Sequence, residues 1–229
     1  MDRLMVVWNA FPALLGGLAI TVELALAFLG LGLALGILLA LSRIYGNRFL
    51  ASIASAFEQV FRGIPAIVFL FLFYFGSAQI GLNLSAFSAA ILAMGLRSSA
   101  YQSQIFRGAI QSISSGQMMA ARALGMNLYK AARHIILPQA LRFSIAPWTN
   151  EYAGVLKDTS LCYAIGVTEI MRQGRYIVAR TFGNSLLIYI LIAIIYFILV
   201  YAGNRFFSFL EARLRIPGFE TKGERTERI

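Results

Sequence analysis

Arg97, Tyr101 and Gln104 sit at the three- and four-residue spacings that put side chains on one helix face, inside a segment otherwise built from small and apolar residues. Counted from Ser85 on one side and Arg107 on the other, at 1.5 Å per residue, Arg97 lies about 15 to 18 Å from either end of that helix. In a hydrocarbon layer about 30 Å thick this is near the middle, where a charge is costly and faces protein or a water-filled cavity. A guanidinium there suits a carboxylate, which it can hold through two parallel hydrogen bonds. Ser98, Ser99 and Ala100 leave space beside it. An ammonium on the same solute calls for acceptors, and Glu151, Asp158, Thr159 and Ser160 are the candidates. Two structural readings stand beside this one. Arg97 could form a buried ion pair with Glu151 or Asp158 that fixes helix packing, and Lys157-Asp158-Thr159-Ser160 could be a capped helix junction in which Lys157 neutralises Asp158. The chemistry in either case is binding. The single cysteine, Cys162, rules out an internal disulfide, and with the single histidine, His134, it makes no credible metal set or nucleophile–base pair, which argues against a membrane enzyme.

The elements that must carry these residues are membrane helices. The chain is 59% hydrophobic, above the roughly 45 to 50% of soluble domains, and several runs are long enough to cross hydrocarbon. The fold expected is all-α, with five spans at about 14–41, 53–76, 86–106, 135–157 and 184–207. No charged leader with a short apolar core and a small-residue cleavage site is read, so the first span serves as anchor. Retained cytoplasmic loops are rich in Lys and Arg. An amino terminus outside puts Arg43, Arg48, Arg107, Arg122, Lys130, Arg133, Arg142 and Arg205 on the cytoplasmic side with the carboxyl terminus, and leaves Arg3, Arg172, Arg175 and Arg180 outside. Gly32-x-x-x-Gly36 offers close backbone approach to an unidentified helix. Arg62-Gly63-Ile64-Pro65 marks a kink that sets gating geometry, since proline removes a backbone hydrogen bond. Glu23, near the outer boundary, reads as hydrated.

Between Gly108 and His134 the chain turns polar. Ser114 or Ser115 can cap a helix beginning near Gln117, Gly125 can end it in the left-handed conformation, and Asn127 can cap a second short helix carrying Lys130, Arg133 and His134. The alanines of this unit leave narrow faces that let another surface approach closely. A helix–glycine–helix unit of this kind is a docking site.

The stretch Gly116-Gln117-Met118-Met119-Ala120-Ala121-Arg122-Ala123-Leu124-Gly125, followed by Ile135 and Leu137-Pro138, resembles the cytoplasmic coupling signature of the permease subunits of ATP-binding cassette (ABC) importers. Phe61-Arg62-Gly63-Ile64-Pro65, Ala100-Tyr101 with Ile105-Phe106-Arg107-Gly108, and Asn150-Glu151 with Lys157-Asp158-Thr159-Ser160-Leu161 extend the resemblance to the polar amino acid subfamily, over about residues 16 to 215. The resemblance implies a type I importer transmembrane fold and a complex of two cytoplasmic ATPases, a second permease subunit that is identical or homologous, and an extracytoplasmic substrate-binding protein. Gly116, Gln117, Met119, Ala120, Ala121, Gly125, Leu137 and Pro138 become the ATPase-coupling residues. Met119 stands where relatives usually carry glutamate, which leaves shape and apolar contact, rather than a salt bridge, to couple the motor. The block around Asp158 lies close to the path in the family, which ranks Asp158 above Glu151. Arg97 replaces a small polar residue found in relatives, and an extra cation there favours glutamate, glutamine or aspartate as solute unless Asp158 neutralises it.

No Gly-x-x-x-x-Gly-Lys-Ser/Thr loop occurs, so the chain is not the ATPase; no cofactor is expected in it, and ATP with Mg²⁺ belongs to the partner. The formal charge of +10 would suggest nucleic acid in a soluble protein, but the basic residues follow span ends and no aromatic-interleaved patch accompanies them. One membrane domain is expected over 1–215, with the docking loop at about 108–134, and residues 216–229, of mixed charge, as a disordered cytoplasmic tail. The competing function is an ion-gradient-driven amino acid transporter with Glu23 and Asp158 as coupling carboxylates. That class predicts inverted internal repeats, and none is visible.

Overall fold

The computed structural model describes residues 3–181 and 185–214, leaving aside the side chains of 3–7 and 9; the expected tail lies outside the described residues. Helices account for nearly all of it, and no strand occurs among the described residues. In chain order they are α1 (Arg3–Tyr45), α2 (Arg48–Gly63), α3 (Ala66–Phe71), α4 (Ser77–Gln79), α5 (Ala86–Ser112), α6 (Ser115–Ala123), α7 (Leu128–Ala131), α8 (Leu137–Phe143), α9 (Ile145–Asp158), α10 (Ile170–Thr181) and α11 (Ser185–Leu214). Wider π turns join α3 to α4 and α7 to α8, and a 3₁₀ stretch, Thr159–Ile165, follows α9.

Starts and stops follow side-chain chemistry. Asn47 Oδ1 accepts from the Leu50 amide at 2.9 Å, Ser85 Oγ from Ser88 at 3.1 Å, and Asn127 Oδ1 from Lys130 at 2.8 Å, each satisfying an amide that the first helical turn leaves free. The expected docking unit forms, two residues earlier than read, because Ser114 supplies the cap. Gly125 closes α6 at φ +80°, with its amide donating to Arg122 and the Met126 amide to Ala121. That paired closure needs a left-handed residue, which glycine adopts at no steric cost.

α5 is the centre of the fold and α1 its main neighbour. In lipid the apolar effect does not drive helices together, so close backbone approach decides which faces meet. Here the Gly32/Gly36 face meets α5 of the same chain. A Cβ on Gly32 would lie 2.3 Å from Gln102 Nε2, and one on Gly36 2.9 Å from Gln102 Cβ. Leu24, Phe28 and Leu29 of α1, Phe69 and Leu70 of α3, and Ala89, Ala90, Ala93 and Met94 of α5 form the main buried cluster. A second joins α1, α10 and α11 around Leu14, Ile170 and Ile188, and a third gathers Ile110 and Ile113, at the carboxyl-terminal end of α5, with Ile136 and Ala140.

Two of the five expected spans are not single straight helices. By length and apolarity alone, Ala10–Tyr45 and Ser185–Leu214 can cross a membrane, and α2 with α3–α4 makes a third only as a pair bent by 103°. The bend falls at Ile64, extended at φ −99° and ψ 137°, because the ring of Pro65 disfavours helical backbone in the residue before it. The segment 135–157 is likewise divided, into α8 and α9 at Ser144. α5 has 27 residues, enough for about 40 Å, yet it is polar because protein surrounds much of it.

Candidate functional site

Arg97 projects from α5 to the end of α9, where its Nη1 donates to Asp158 Oδ2 at 2.8 Å. The two side chains are 22% and 31% exposed, so the ion pair is reachable rather than sealed in the core. Arg97 Nη2 also lies 3.4 Å from the Tyr101 hydroxyl, one turn on, and its guanidinium stands 4.8 Å from the Tyr101 ring centroid. The pair left open between Glu151 and Asp158 therefore forms with Asp158. Lys157 is exposed and forms no salt bridge with it among the described residues.

Glu151 has a different partner. Its Oε1 accepts from Ser98 Oγ at 2.7 Å. Gln102, fully buried, donates from Nε2 to Ser98 Oγ at 3.1 Å and to the Leu29 carbonyl at 3.2 Å, while its Oε1 accepts from Trp148 Nε1 at 2.7 Å. This chain of bonds ties α1, α5 and α9 together one residue away from Arg97 in sequence, and leaves the second carboxylate oxygen of Glu151 without an internal donor among the described residues. Buried polar groups of this kind persist only when partnered.

Thr159 and Ser160 do not face the guanidinium. Thr159 Oγ1 donates to the Leu156 carbonyl at 2.7 Å and lies 3.3 Å from the Tyr196 hydroxyl; Ser160 Oγ donates to the Lys157 carbonyl at 2.7 Å. Both bind the turn that ends α9, as in the capped-junction reading. Gln104 also leaves the stripe. It donates to Glu58 and accepts from Arg107, and Glu58 further accepts from Ser103 Oγ at 2.6 Å with Arg43 Nε at 3.7 Å. Arg97 and Tyr101 are thus brought together, while Gln104 belongs to a separate buried cluster joining α1, α2 and α5.

Three participants escaped the sequence reading. Glu58, 2% exposed, was visible only as a lone carboxylate on an amphipathic helix. Gln102 was one step off the stripe. Glu169, fully buried, accepts from the Met171 and Arg172 amides at 2.8 and 2.9 Å and from Tyr196 Oη at 3.1 Å; an acid just before a basic helix was the available cap signal. Glu23 is exposed on α1 and forms no salt bridge among the described residues. No group of three or more His, Cys, Asp or Glu among the described residues could hold a metal ion.

The docking unit presents apolar surface. Met119 is 66% exposed, Leu124 84% and Tyr129 66%, whereas Ala121 is buried and Gly116 and Gln117 are half-buried. Ala120 and Gly125 are exposed. Leu137 is half-buried and helps line a cleft of about 320 Å³ with Leu38, Leu41, Tyr129, Ala132 and Arg133, and Pro138 is exposed in the first turn of α8.

Residues 32–216 match the family described as the binding-protein-dependent transport system inner membrane component. The chain is 35% identical to the glutamine transport system permease protein GlnP of Escherichia coli, over 92% of this chain and 96% of that one. It is 33% identical to the nopaline transport system permease protein NocM of Agrobacterium fabrum, over 99% and 100%. An amino acid ABC transporter crystallised with histidines superposes at a TM-score of 0.84 with 34% identity, covering 93% of this chain and 99% of that one. The MetNI methionine transporter, at 22% identity and a TM-score of 0.74, shares the fold. The chain belongs to the binding-protein-dependent transport system inner membrane component family, the permease subunits of ABC importers.

Proposed function

We propose that this chain conducts polar L-amino acids, with glutamate, glutamine and aspartate favoured, across the inner or plasma membrane as the permease of an ATP-driven importer. The observation that carries the site assignment is the reachable Arg97–Asp158 pair beside Tyr101, with Glu151 about two helix turns before Asp158 on α9. A zwitterion carries the two charges that such a pair exchanges internally. Its carboxylate replaces Asp158 on Arg97, and its ammonium takes Asp158 or the free oxygen of Glu151, so binding costs one ion pair and forms two. Thr159 and Ser160 hold the turn that aims Asp158.

The partners proposed are a cytoplasmic ATPase dimer holding ATP and Mg²⁺, a second permease subunit, and an extracytoplasmic binding protein. The amino terminus lies outside and the carboxyl terminus inside. Residues 1–215 act as one membrane domain. Closure of the ATPases pulls on α6 and α7 through Met119, Leu124 and Tyr129, and α8 with Leu137 and Pro138 passes the motion to α9 and Asp158. Apolar contact substitutes for a salt bridge at Met119, consistent with its exposure.

The test is uptake by proteoliposomes holding the permease with its ATPase, supplied with the binding protein. ATP-dependent accumulation of labelled glutamate, glutamine, arginine or histidine, with selectivity altered by Arg97→Ala, is the expected result. Uptake indifferent to ATP overturns the importer reading in favour of ion coupling.

A further inference from the structure

We infer that Arg62 is the uncompensated cation of the solute site and receives a second carboxylate, which makes dicarboxylic amino acids the preferred class. This rests on the solute-path reading above and names its selectivity. Arg97 cannot play that part while Asp158 neutralises it at 2.8 Å. Arg62, in the last turn of α2, stands with its guanidinium 5.3 Å from the ring centroid of Tyr101, the same ring that Arg97 approaches at 4.8 Å. Two like charges therefore share one aromatic platform, and only one has a carboxylate. Arg62 is exposed and has no carboxylate within 4.0 Å among the described residues.

Like charges held on one ring repel, and a carboxylate bound at Arg62 in addition to the one on Arg97 relieves that repulsion while gaining charge-assisted hydrogen bonds from the Arg62 fork. The ring's negative face restrains each guanidinium, so less side-chain freedom is lost when the anion binds. A monocarboxylic zwitterion satisfies Arg97 and the acids of α9 but leaves Arg62 unused. A glutamate or aspartate side chain supplies the missing charge, and a lysine or arginine side chain meets a fixed cation. Arg62 reaches Tyr101 because the last turn of α2 packs beside α5, and the chain bends by 103° immediately after Gly63.

The test is direct binding to the permease–ATPase complex in nanodiscs without binding protein, whose own selectivity would otherwise dominate. Labelled L-glutamate, L-glutamine and L-lysine are the probes. Wild type is expected to hold glutamate about tenfold or more tighter than glutamine, Arg62→Gln to erase that ratio, and Arg62→Lys to keep part of it. An unchanged ratio in Arg62→Gln, or an equal loss of both ligands, overturns the assignment. So does an effect that vanishes in nanodiscs lacking anionic lipid, which would give Arg62 to a headgroup. Uptake in proteoliposomes separates the two levels: no ATP-driven uptake by wild type overturns the importer reading, whereas ATP-driven uptake with an unchanged ratio overturns the role of Arg62 alone.

Discussion

Removing one partner of the Arg97–Asp158 pair strands the other charge, and the cost of that can be bounded from its surroundings. Fully exposed pairs contribute about 0.2 to 1 kcal/mol, while breaking a buried pair costs about 3 to 5 kcal/mol. With side chains 22% and 31% exposed and an N···O distance of 2.8 Å, this pair falls between those limits, at about 2 kcal/mol of coupling, or roughly thirtyfold. Arg97→Gln and Asp158→Asn should each lower the apparent melting midpoint of the purified permease by about 4 to 8 °C. The double substitution should lose little more than either single one, because neither charge is then left alone. Melting of the four proteins, followed by intrinsic Trp fluorescence in one detergent, gives the cycle. Additive losses, with coupling under about 0.5 kcal/mol, would refute the reasoning and mean that each group is solvated independently.

Leu124→Asp, at a side chain 84% exposed on the docking unit, should abolish solute-stimulated ATP hydrolysis by the complex while leaving the melting midpoint of the permease within about 1 °C, since it has no packing to lose. Met119→Glu should reduce stimulated hydrolysis several-fold against the native ATPase, because it puts a charge into a dry apolar contact; an increase would show that the partner retains a cation there. Gly32→Val should prevent assembly of a stable permease, as even its Cβ would lie 2.3 Å from Gln102 Nε2 and 2.8 Å from Ser98 Oγ, and size-exclusion yield is the readout. Glu169→Ala should cost about 1 to 2 kcal/mol through the lost cap of α10, seen as faster proteolysis between Gly166 and Thr181.

Much of the helical plan was legible because it is local. Ser114 and Asn127 cap the elements they precede, and Gly125 ends α6, through bonds that span five residues or fewer. The long spans of α1 and α11 follow from apolar length alone. The bend at Ile64–Pro65 was legible as a kink; its size was not, because 103° is set by how α3 packs on α5. Spacing put Gln104 with Arg97 and Tyr101, since all three lie near one helix face. Which neighbour each side chain meets was decided by what stands opposite: Asp158 of α9 for Arg97, and Glu58 of α2 for Gln104.

By itself, the order of residues determined a polytopic α-helical permease with a polar docking loop, a glycine face on the first span and an arginine deep in the third. Those properties depend on hydropathy, caps and spacing, which act within a helix turn or along one element. Only the tertiary structure decided that Gly32 and Gly36 serve α5 of the same chain, that Asp158 and not Glu151 neutralises Arg97, and that Arg62 shares the ring of Tyr101. Each depends on groups 39 to 70 residues apart meeting at a few ångströms, from Arg62 and Tyr101 to Gly32 and Gln102, and that proximity is set by close packing between helices, which no periodicity within one helix records.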